Sequence, residues 1–358
     1  MLHRMSPEVT FEQHGGWPGV LGRLTARDDL SDRAAAAAMA EILDGNATPA
    51  QIAGFIVALR MKGETVDELT GLVSAMVDRS TPVVLANPDG VIDLVGTGGD
   101  RSHSINVSTL AALTVVGAGG RVCKHGNRAA SSACGTADVL EALGVAFDLG
   151  PEGVAHCVDT VGIGFCFAAR FHAAMRHAGP TRRELGVPTV FNFLGPLANP
   201  ARVKRQVTGV ADPAMAERMI HVLAANGSER ALVVYGHDGL DELTITTTST
   251  VHELRDGEVR TYEVDPADHG MGGASLDDLR GGDALTNADI GRRVLGGEKG
   301  PRADIVALNA AAGLLAAGVV DDLASGVEAA RVSLAEGGAL AALEDLIRAS
   351  NEAAATAS

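Results

Sequence analysis

The sequence predicts an α/β protein made of a small all-helical domain plus a larger α/β domain, whose central sheet is mostly parallel and flanked by helices. At 358 residues the chain exceeds the roughly 250 to 300 residues at which a single core stops growing, so two domains are favoured. Capped helical patterns fill the first part of the chain. From Val91 onward, short apolar segments alternate with helical stretches, which is typical of a parallel sheet.

The first domain, assigned to residues 19–88, is predicted from helix start signals. These signals are Ser31 before an Ala-rich segment, and two capping boxes, Thr48 with Gln51 and Thr65 with Glu68. The three helices are expected to end near residues 43, 63 and 79. Residues 1–18 and 349–358 show no periodicity or are small and polar, so we expect flexible termini there.

The second domain, assigned to residues 89–173 and 201–348, begins with the strand pattern VIDLVG at residues 91–96. Further strands are predicted at residues 121–124, 145–147 and 231–235. The Asp256-Gly257 pair, flanked by alternating residues, predicts a hairpin within residues 251–264. Ligands of parallel sheets bind at the carboxyl ends of the strands, and the glycines after VIDLV lie at such an end.

The overall composition excludes some classes of function. Hydrophobic residues make up 46% and charged residues 21%, which is an ordinary globular balance. Aromatic residues are only 3%, which disfavours stacking platforms for single-stranded nucleic acid. The formal net charge of -16 repels polyanions, so we expect no nucleic-acid partner. A phosphate-bearing substrate would have to be met by local N–H groups, a few cations or metal ions.

The cysteines and the chain's hydropathy suggest a cellular location. Cys123, Cys134, Cys157 and Cys166 form no CxxC pair, so neither a zinc site nor a disulfide framework is indicated. We expect reduced thiols in a cytoplasmic protein. The N-terminal residues lack an apolar signal core, and no apolar run approaches the roughly 18 residues of a membrane span.

The GTGGD motif at residues 96–100 is a candidate anion site. Its glycines allow backbone N–H groups to approach a ligand, and the following helix start offers the Ser108 and Thr109 hydroxyls at the positive end of a helix dipole. A plain tight turn with a helix cap is the alternative for a glycine motif taken alone. The neighbouring motifs favour the anion site.

The KHGNR motif at residues 124–128 ends the next predicted strand. Lys124 supplies a point charge for phosphate, and His125 and Asn127 can donate and accept hydrogen bonds to a planar aromatic acid. Ser131 and Ser132, before the GTAD helix start, add a second anion pocket. Solvated loop charges and simple caps are the alternative.

Asp241 and Glu242 follow the strand at residues 231–235 and a glycine turn. Adjacent carboxylates near a strand's carboxyl end suit Mg²⁺, a hard cation that keeps several waters and bridges to substrate phosphates. An isolated acidic pair is more often simply solvated. Here the position in the sheet, and the need to neutralise phosphates in an acidic chain, favour the metal site.

A cluster of cationic side chains lies in the segment from residue 165 to 200, and comprises Arg170, His172, Arg176, Arg182 and Arg183. A planar guanidinium pairs with a carboxylate through two parallel hydrogen bonds, so the cluster suggests a bound anion. Salt bridges to Glu184 and to Asp residues are the alternative.

Taken together, the motifs GTGGD, NVST, KHGNRAASS, GTADVLEALG, FxxxRFHxAMRH, RRELGxxTxFNxLGPLxNP and DELTITTTSTVxELRDG resemble the anthranilate phosphoribosyltransferase family. The resemblance covers about residues 19 to 345, in the family's order. It implies a helical lobe and an α/β lobe that hinge around the active site, and a homodimer formed through the helical lobes. It also implies that the helical lobe takes in a later excursion, about residues 174–200.

The resemblance implies transfer of the phosphoribosyl group of phosphoribosyl pyrophosphate to the amine of anthranilate, which releases pyrophosphate, in tryptophan biosynthesis. The amine would displace pyrophosphate at the anomeric carbon with no covalent nucleophile on the enzyme. Mg²⁺ is the implied cofactor, expected as two ions with pyrophosphate.

Site residues carry over from the family position by position. The phosphoribosyl pyrophosphate site is matched by Gly96, Thr97, Gly98, Gly99, Asp100, Asn106, Ser108, Thr109, Lys124, Ser132 and Thr136. The Mg²⁺ ligands are matched by Ser108, Asp241 and Glu242, and the catalytic set by Lys124, Asp241 and Glu242. The anthranilate channel is matched by Gly96, His125, Asn127, His172, Met175 and Arg182, with Arg182 as the carboxylate partner.

The chain departs from the family pattern at four positions, Ser104, Thr136, Ala169 and Ala173, where Thr, Ser, Pro and Pro are usual. The first two changes keep a hydroxyl, whereas the alanines could loosen the loop that carries His172, which puts substrate affinity in doubt. Two rival functions share the architecture. Pyrimidine nucleoside phosphorylases use free phosphate and need no acidic metal clamp, and nucleic-acid-binding relatives need a basic groove.

Overall fold

The computed structural model describes residues 10–100, 102–129 and 133–356. The chain forms two compact units. The helical unit consists of the chain up to Ser80 together with His172–Ala198, and the α/β unit consists of Thr81–Phe171 together with the chain from Asn199 onward.

The helices in chain order are α1 (Gly16–Thr25), α2 (Asp32–Leu43), α3 (Pro49–Lys62), α4 (Val66–Asp78), α5 (Val107–Gly117), α6 (Thr136–Leu143), α7 (Pro151–Val161), α8 (Ala168–Phe171), α9 (Gly179–Leu185), α10 (Phe191–Leu194), α11 (Pro213–Ala225), α12 (Ala284–Leu295), α13 (Pro301–Ala317), α14 (Leu323–Ala335) and α15 (Gly338–Thr356). The strands are β1 (Val91–Gly96), β2 (Arg121–Gly126), β3 (Ile163–Phe167), β4 (Arg205–Gly209), β5 (Arg230–Gly236), β6 (Ser249–Arg255) and β7 (Glu258–Val264). Short 3-10 helices occupy Phe11–His14, Ala173–His177, Gly195–Leu197, Pro266–His269 and Leu276–Leu279.

The first helices of the helical unit begin where their caps predict. The Ser31 hydroxyl accepts a hydrogen bond from the Ala34 N–H at 3.2 Å, and α3 and α4 each begin with a complete capping box. Helices α2 and α4 approach closely at Gly71, where a Cβ atom would lie 2.0 Å from the Asp32 carbonyl oxygen. Only glycine allows this distance.

The α/β unit is built on one seven-stranded sheet in the order β3-β2-β1-β4-β5-β6-β7. Strands β1 to β5 pair with one another in parallel, whereas β6 pairs antiparallel with β5, and β7 pairs antiparallel with β6. Helix α13 contacts β1, β4 and β5, and α11 contacts β5 and β6. The predicted fold class is confirmed.

The predicted hairpin is also present. Arg255 pairs with Glu258, so the connection is the two residues Asp256 and Gly257. Both have positive φ angles, 55° and 80°, as a two-residue type I′ turn requires.

The prediction of a strand at residues 145–147 is wrong. The Val145 N–H bonds to the Leu140 carbonyl and closes the end of α6, and the Ala146 N–H bonds to the Ser350 hydroxyl on α15. These N–H groups are therefore not available to the sheet. Strands β3 and β4, which we did not predict, complete its parallel part.

Helical structure extends into both terminal segments of the described residues. Helix α15 continues to Thr356 because Ala349, Ser350 and Ala353 are buried. Near the other end, Trp17 in the first turn of α1 packs edge-on against Phe11, with 5.2 Å between the ring centroids.

The first segment of the helical unit ends at Ser80. The reason is that the Thr81 and Val83 N–H groups bond to the carbonyls of Phe171 and Pro200, both in the α/β unit. Among the described residues, no helix is both long and apolar enough to cross a bilayer.

Candidate active site

The glycine motif leaves the sheet at the carboxyl end of β1. The Thr97 N–H still bonds to the Gly209 carbonyl at the end of β4, at 2.9 Å. Gly98 and Gly99 then adopt φ angles of 68° and 84°, which other residues rarely adopt. The Gly98 N–H donates to the Asp241 carboxylate at 2.7 Å. The loop thus directs the Gly98 N–H toward the Asp241 carboxylate.

Two glycines make room for that acidic pair. A Cβ atom at Gly96 would lie 2.5 Å from the Asp241 carboxylate, and one at Gly209 would lie 1.6 Å from the Asp241 carbonyl oxygen. The segment that carries Asp241 therefore rests directly on the ends of β1 and β4. Sequence reasoning missed Gly209. The available signal was a glycine at the end of the short segment QVTG, which precedes a helical stretch.

The Glu242 carboxylate reaches the start of α5, where it accepts a hydrogen bond from the Ser108 N–H. Burial raises the pKa of Glu242 to about 8, and the Asp100 carboxylate adds to this, while Lys124 and the Ser108 N–H act in the opposite direction. Burial, followed by the charges of Glu242 and Asp100, also raises the pKa of Asp241 well above its ordinary value. Three acids are thus crowded in a poorly solvated place.

A divalent cation would relieve this crowding. The donors are hard oxygen atoms, as Mg²⁺ prefers. Within residues 10–100, 102–129 and 133–356, no group of three or more His, Cys, Asp or Glu side chains is arranged to hold a metal ion. Two neighbouring carboxylates and the Ser108 hydroxyl fit an ion such as Mg²⁺, which commonly keeps several waters and binds phosphate oxygens.

Lys124 lies near the end of β2 and is 3% exposed. Its ammonium group donates to the Leu94 carbonyl and to the Ser108 hydroxyl, the latter at 3.2 Å. Burial lowers its pKa, and the nearby charges of Asp93, Glu242 and Asp241 oppose that shift. The Lys124 ammonium group is thus held between β1 and the first turn of α5, beside Asp241 and Glu242.

Asp93, in β1, links the neighbouring strand β2 to Asn199 through hydrogen bonds. It is fully buried and accepts hydrogen bonds from the His125 N–H at 3.0 Å and from the Asn199 amide at 2.8 Å. Burial raises the pKa of Asp93 to about 6, although the charge of Lys124 opposes the shift. Sequence reasoning missed this carboxylate because it lies inside a strand that otherwise reads as apolar.

The first turn of α5 carries an unsatisfied hydroxyl group. Thr109 is 2% exposed, and its Oγ1 atom has no hydrogen-bond partner among the residues that the structure describes. A buried hydroxyl without a partner is costly, so the position suits a ligand oxygen. Just before it, the Asn106 side chain donates to the Cys134 carbonyl at 3.2 Å and accepts from Asn287 at 2.9 Å.

The remaining predicted residues of the α/β unit follow β2. Asn127 comes directly after the strand, and its carbonyl accepts a hydrogen bond from the Ala137 N–H at 3.2 Å. Thr136 begins α6, and a Cβ atom at Gly126 would lie 3.2 Å from the Thr136 Cβ. Ser132 lies outside the described residues.

Three predicted anthranilate residues belong to the helical unit. His172 is buried, which lowers its pKa, and its carbonyl accepts a hydrogen bond from the Met175 N–H at 2.9 Å.

Arg182, on α9, stacks over the Phe191 ring at 5.0 Å, and burial lowers the pKa of its guanidinium. In the described part of the chain no carboxylate forms an ion pair with Arg182, whereas Arg170 pairs with Asp148 at 3.1 Å. Arg170 therefore forms a salt bridge with an acidic residue of the protein, which was the alternative to anion binding for the cationic cluster.

The sheet brings one large group of the predicted residues together at the carboxyl ends of β1, β2 and β5 and at the start of α5. Contacts join Gly96 and Gly98 to Asp241, Ser108 to both Glu242 and Lys124, and Asp100 to the acidic pair. His172, Met175 and Arg182 form the second group, in the helical unit.

Family models match both units of the chain. The model described as the glycosyl transferase family, a/b domain, matches residues 88–340, and the one described as the helical bundle domain of the same family matches residues 18–80. Together with the fold, these matches define the class of the protein as a glycosyltransferase.

Individual relatives narrow the class. Anthranilate phosphoribosyltransferase from Rhodococcus jostii is 54% identical, over 90% of each chain. The crystal structure of the enzyme from Thermus thermophilus superposes with a TM-score of 0.88 at 42% identity, and covers 93% of this chain and 99% of that one. The Saccharomyces cerevisiae enzyme, solved in complex with phosphoribosyl pyrophosphate and Mg, gives a TM-score of 0.84 at 27% identity, and covers 98% and 100%. This chain belongs to the anthranilate phosphoribosyltransferase family.

Proposed function

We infer that this chain transfers the phosphoribosyl group of phosphoribosyl pyrophosphate to the amine of anthranilate, which gives N-phosphoribosyl anthranilate and pyrophosphate, in tryptophan biosynthesis. The observation that carries this inference is the cluster at the start of α5. This cluster lies at the carboxyl ends of the parallel strands. It contains the glycine loop, the buried Lys124, the Thr109 hydroxyl without a partner in the described residues, and the acidic pair Asp241 and Glu242. Family membership supplies the identity of the two substrates.

We propose that phosphoribosyl pyrophosphate is held by Gly96, Thr97, Gly98, Gly99, Asp100, Asn106, Ser108, Thr109, Lys124, Ser132 and Thr136. Positive φ angles at Gly98 and Gly99 and the orphan hydroxyl of Thr109 support this assignment. The helix dipole of α5 adds a positive potential at the same place. Lys124 supplies a full positive charge in a poorly solvated position, where it acts strongly on a departing anion.

We assign Ser108, Asp241 and Glu242 as the residues that hold Mg²⁺, with two ions expected for one pyrophosphate. The raised pKa values of both acids support a cation at this place. When bound, Mg²⁺ neutralises negative charge on the pyrophosphate leaving group. Lys124, Asp241 and Glu242 then form the proposed catalytic set.

For anthranilate we assign Gly96, His125, Asn127, His172, Met175 and Arg182. Arg182 is the proposed partner of the substrate carboxylate, because a half-buried guanidinium without a carboxylate of its own in the described residues suits an anionic ligand. Stacking on Phe191 holds its plane. His125 and Asn127 can offer donors and acceptors to the aromatic amine.

The proposed mechanism is one displacement at the anomeric carbon. The residues orient the two substrates, and Lys124 stabilises the charge that develops on pyrophosphate. The aromatic amine is neutral at pH 7, so the reaction needs no strong general base on the protein. No side chain forms a covalent bond to the ribose.

Three broader features of the family are also proposed for this chain. These are a homodimer formed through the helical domains, a cytoplasmic location, and a division into a helical domain at residues 19–88 with 174–200 and an α/β domain at residues 89–173 with 201–348. The separate helical unit of the structure supports the last of these.

Anthranilate fluorescence provides the direct test. We expect fluorescence to fall when anthranilate, phosphoribosyl pyrophosphate and Mg²⁺ are mixed with the protein, and to stay constant when Mg²⁺ is chelated. No turnover, accompanied by phosphorolysis of thymidine, would instead identify a nucleoside phosphorylase.

A further inference from the structure

Helix α13 carries one buried side-chain amide in an otherwise apolar environment. Asn309 is 2% exposed, and its helix neighbours Leu308 and Ala310 are fully buried. Burying an amide costs free energy unless all its polar atoms find partners. The partners of Asn309 are therefore informative about why an amide is present here.

Asn309 binds both backbone polar groups of one residue outside its own helix. Its Oδ1 atom accepts from the Leu243 N–H at 2.9 Å, and its Nδ2 atom donates to the Leu243 carbonyl at 2.8 Å. The second Nδ2 proton goes to the Ile305 carbonyl at 2.9 Å, one turn earlier in α13. A single side chain thus imitates the two hydrogen bonds of a paired strand.

Leu243 needs such a partner because it lies in the connection between β5 and β6, outside any helix or strand. It directly follows Glu242, whose carboxylate is tied to the Ser108 N–H, and Asp241 before it is tied to the Gly98 N–H. The backbone of this segment is fixed to α13 at one residue, while its two acidic side chains reach to α5 and to the glycine loop.

The acidic side chains push the segment away from this position. Asp100, Asp241 and Glu242 lie close together and carry like charges when they are ionised, so their mutual repulsion favours displacement of the segment. A rigid backbone anchor resists that displacement. Its position beside Glu242 also means that a small shift of Leu243 moves a proposed metal ligand.

We propose that Asn309 is a positioning residue for the Mg²⁺ and pyrophosphate site, which acts by holding the Leu243 backbone and through it the Glu242 carboxylate. This rests on the proposed function for the metal site. Asn309 itself touches no substrate. Its role is to fix the acidic segment in the arrangement that the ion and the leaving group require.

The test compares variants that remove different hydrogen bonds. Asn309→Asp keeps the shape and the acceptor for the Leu243 N–H but removes the donor to its carbonyl. Asn309→Leu is similar in size and leaves both Leu243 groups unpaired. Ser333→Ala is the matched control, because Ser333 is also buried, on α14 of the same unit, and donates to the Thr114 carbonyl at 2.9 Å.

Two measurements are made on each full-length variant. Steady-state rates give the half-saturating Mg²⁺ concentration, kcat and the KM for anthranilate. Hydrogen–deuterium exchange on the peptide that covers residues 240–245 reports the Leu243 anchor without any turnover. We expect Asn309→Leu to lower kcat or raise the Mg²⁺ requirement by about 10- to 100-fold, with little change in the KM for anthranilate. Exchange at residues 240–245 should accelerate in both Asn309 variants.

Ser333→Ala should lower thermal stability but leave the Mg²⁺ requirement and the exchange of residues 240–245 unchanged. The proposal is overturned if both Asn309 variants keep the wild-type Mg²⁺ requirement and kcat, or if Ser333→Ala changes them equally. If Asn309→Leu does not fold, Asn309→Asp decides alone. Absence of transfer in the wild-type protein would refute the proposed function instead, and the exchange of residues 240–245 would still report the anchor.

Discussion

The Glu242 carboxylate occupies a buried position where its ionised form is unfavourable unless a ligand is bound. It shares a poorly solvated site with Asp100 and Asp241, and its pKa is raised to about 8 from an ordinary value of 4.5. A raised pKa in an acid means that the folded state holds its proton more tightly than the unfolded state does. The residue therefore lowers stability at neutral pH, which is the pattern expected of a ligand-binding position.

This leads to a prediction about pH and stability. Between about pH 4.5 and pH 8 the unfolded state loses the Glu242 proton while the folded state keeps it, so this group lowers stability as pH rises through that range. Glu242→Gln should remove that contribution and raise the free energy of unfolding near pH 8 by at least about 1 kcal/mol, while it abolishes most transfer activity. Thermal unfolding at several pH values without ligands measures the difference. An equal gain at pH 4 and pH 8 would contradict the stated cause.

Arg182 presents the opposite case, a half-buried cation without a carboxylate partner in the described residues. Arg182→Ala should raise the KM for anthranilate by about 10-fold or more, because it removes a charge-assisted pair with the substrate carboxylate. The KM for phosphoribosyl pyrophosphate should change little. Arg183→Ala is the matched control, since Arg183 is the exposed neighbour on α9. If the two variants behave alike, Arg182 does not bind the carboxylate.

At the scale of elements, the ends of β1 and β4 determine where the acidic segment can lie. Gly209 is the stricter of the two contacts, because its Cβ would overlap a backbone carbonyl and not a side chain that can rotate. The segment could accommodate a methyl group only by moving as a whole. Such a movement would carry Asp241 and Glu242 with it.

Gly209→Ala should therefore lower kcat by about 100-fold or more and destabilise the protein by about 1–3 kcal/mol, as overpacking does. Gly22→Ala provides the control, because Gly22 lies in α1 with open space at its Cβ position, and alanine favours a helix. Steady-state kinetics and thermal unfolding of both variants test the contrast. Full activity in Gly209→Ala would show that the segment tolerates displacement.

The elements that the sequence predicted correctly are those whose signals are local. Capping residues fixed the starts of α2, α3 and α4, and the Asp256-Gly257 pair fixed the hairpin, because these residues satisfy or permit specific backbone geometry on their own. The segment at residues 145–147 has a strand-like composition. Its backbone N–H groups are taken by α6 and by the Ser350 hydroxyl, a residue 204 positions away, which no local pattern reveals.

The residues of the candidate site also fall into those that local sequence patterns predict and those that only the folded structure reveals. Glycines, hydroxyls and the acidic pair were recognisable because their chemistry follows from type and position after a strand. Asp93, Gly209 and Asn309 were not, since each acts through a contact made only in the folded chain. Whether Arg182 is paired or free of a carboxylate also depends on tertiary structure.

At the scale of the whole molecule, the net charge of -16 repels a highly charged phosphate ligand. Binding therefore depends on positive groups close to the phosphates, which include a bound metal cation. Ligand binding to the folded state stabilises it by an amount that depends on affinity and concentration, about 2.7 kcal/mol at 100 times the dissociation constant. Phosphoribosyl pyrophosphate and Mg²⁺ should therefore stabilise the protein much more together than either does alone.

Thermal unfolding with neither ligand, with each alone and with both measures this coupling. We expect a rise of several degrees in Tm only when both are present, and removal of Mg²⁺ by a chelator should reverse it. The double variant Asp241→Ala with Glu242→Ala should lose the joint effect, because the ion then has no protein carboxylates to hold it beside the leaving group. Additive shifts from the separate ligands, retained in the double variant, would show that the acidic pair does not link the metal to the phosphates.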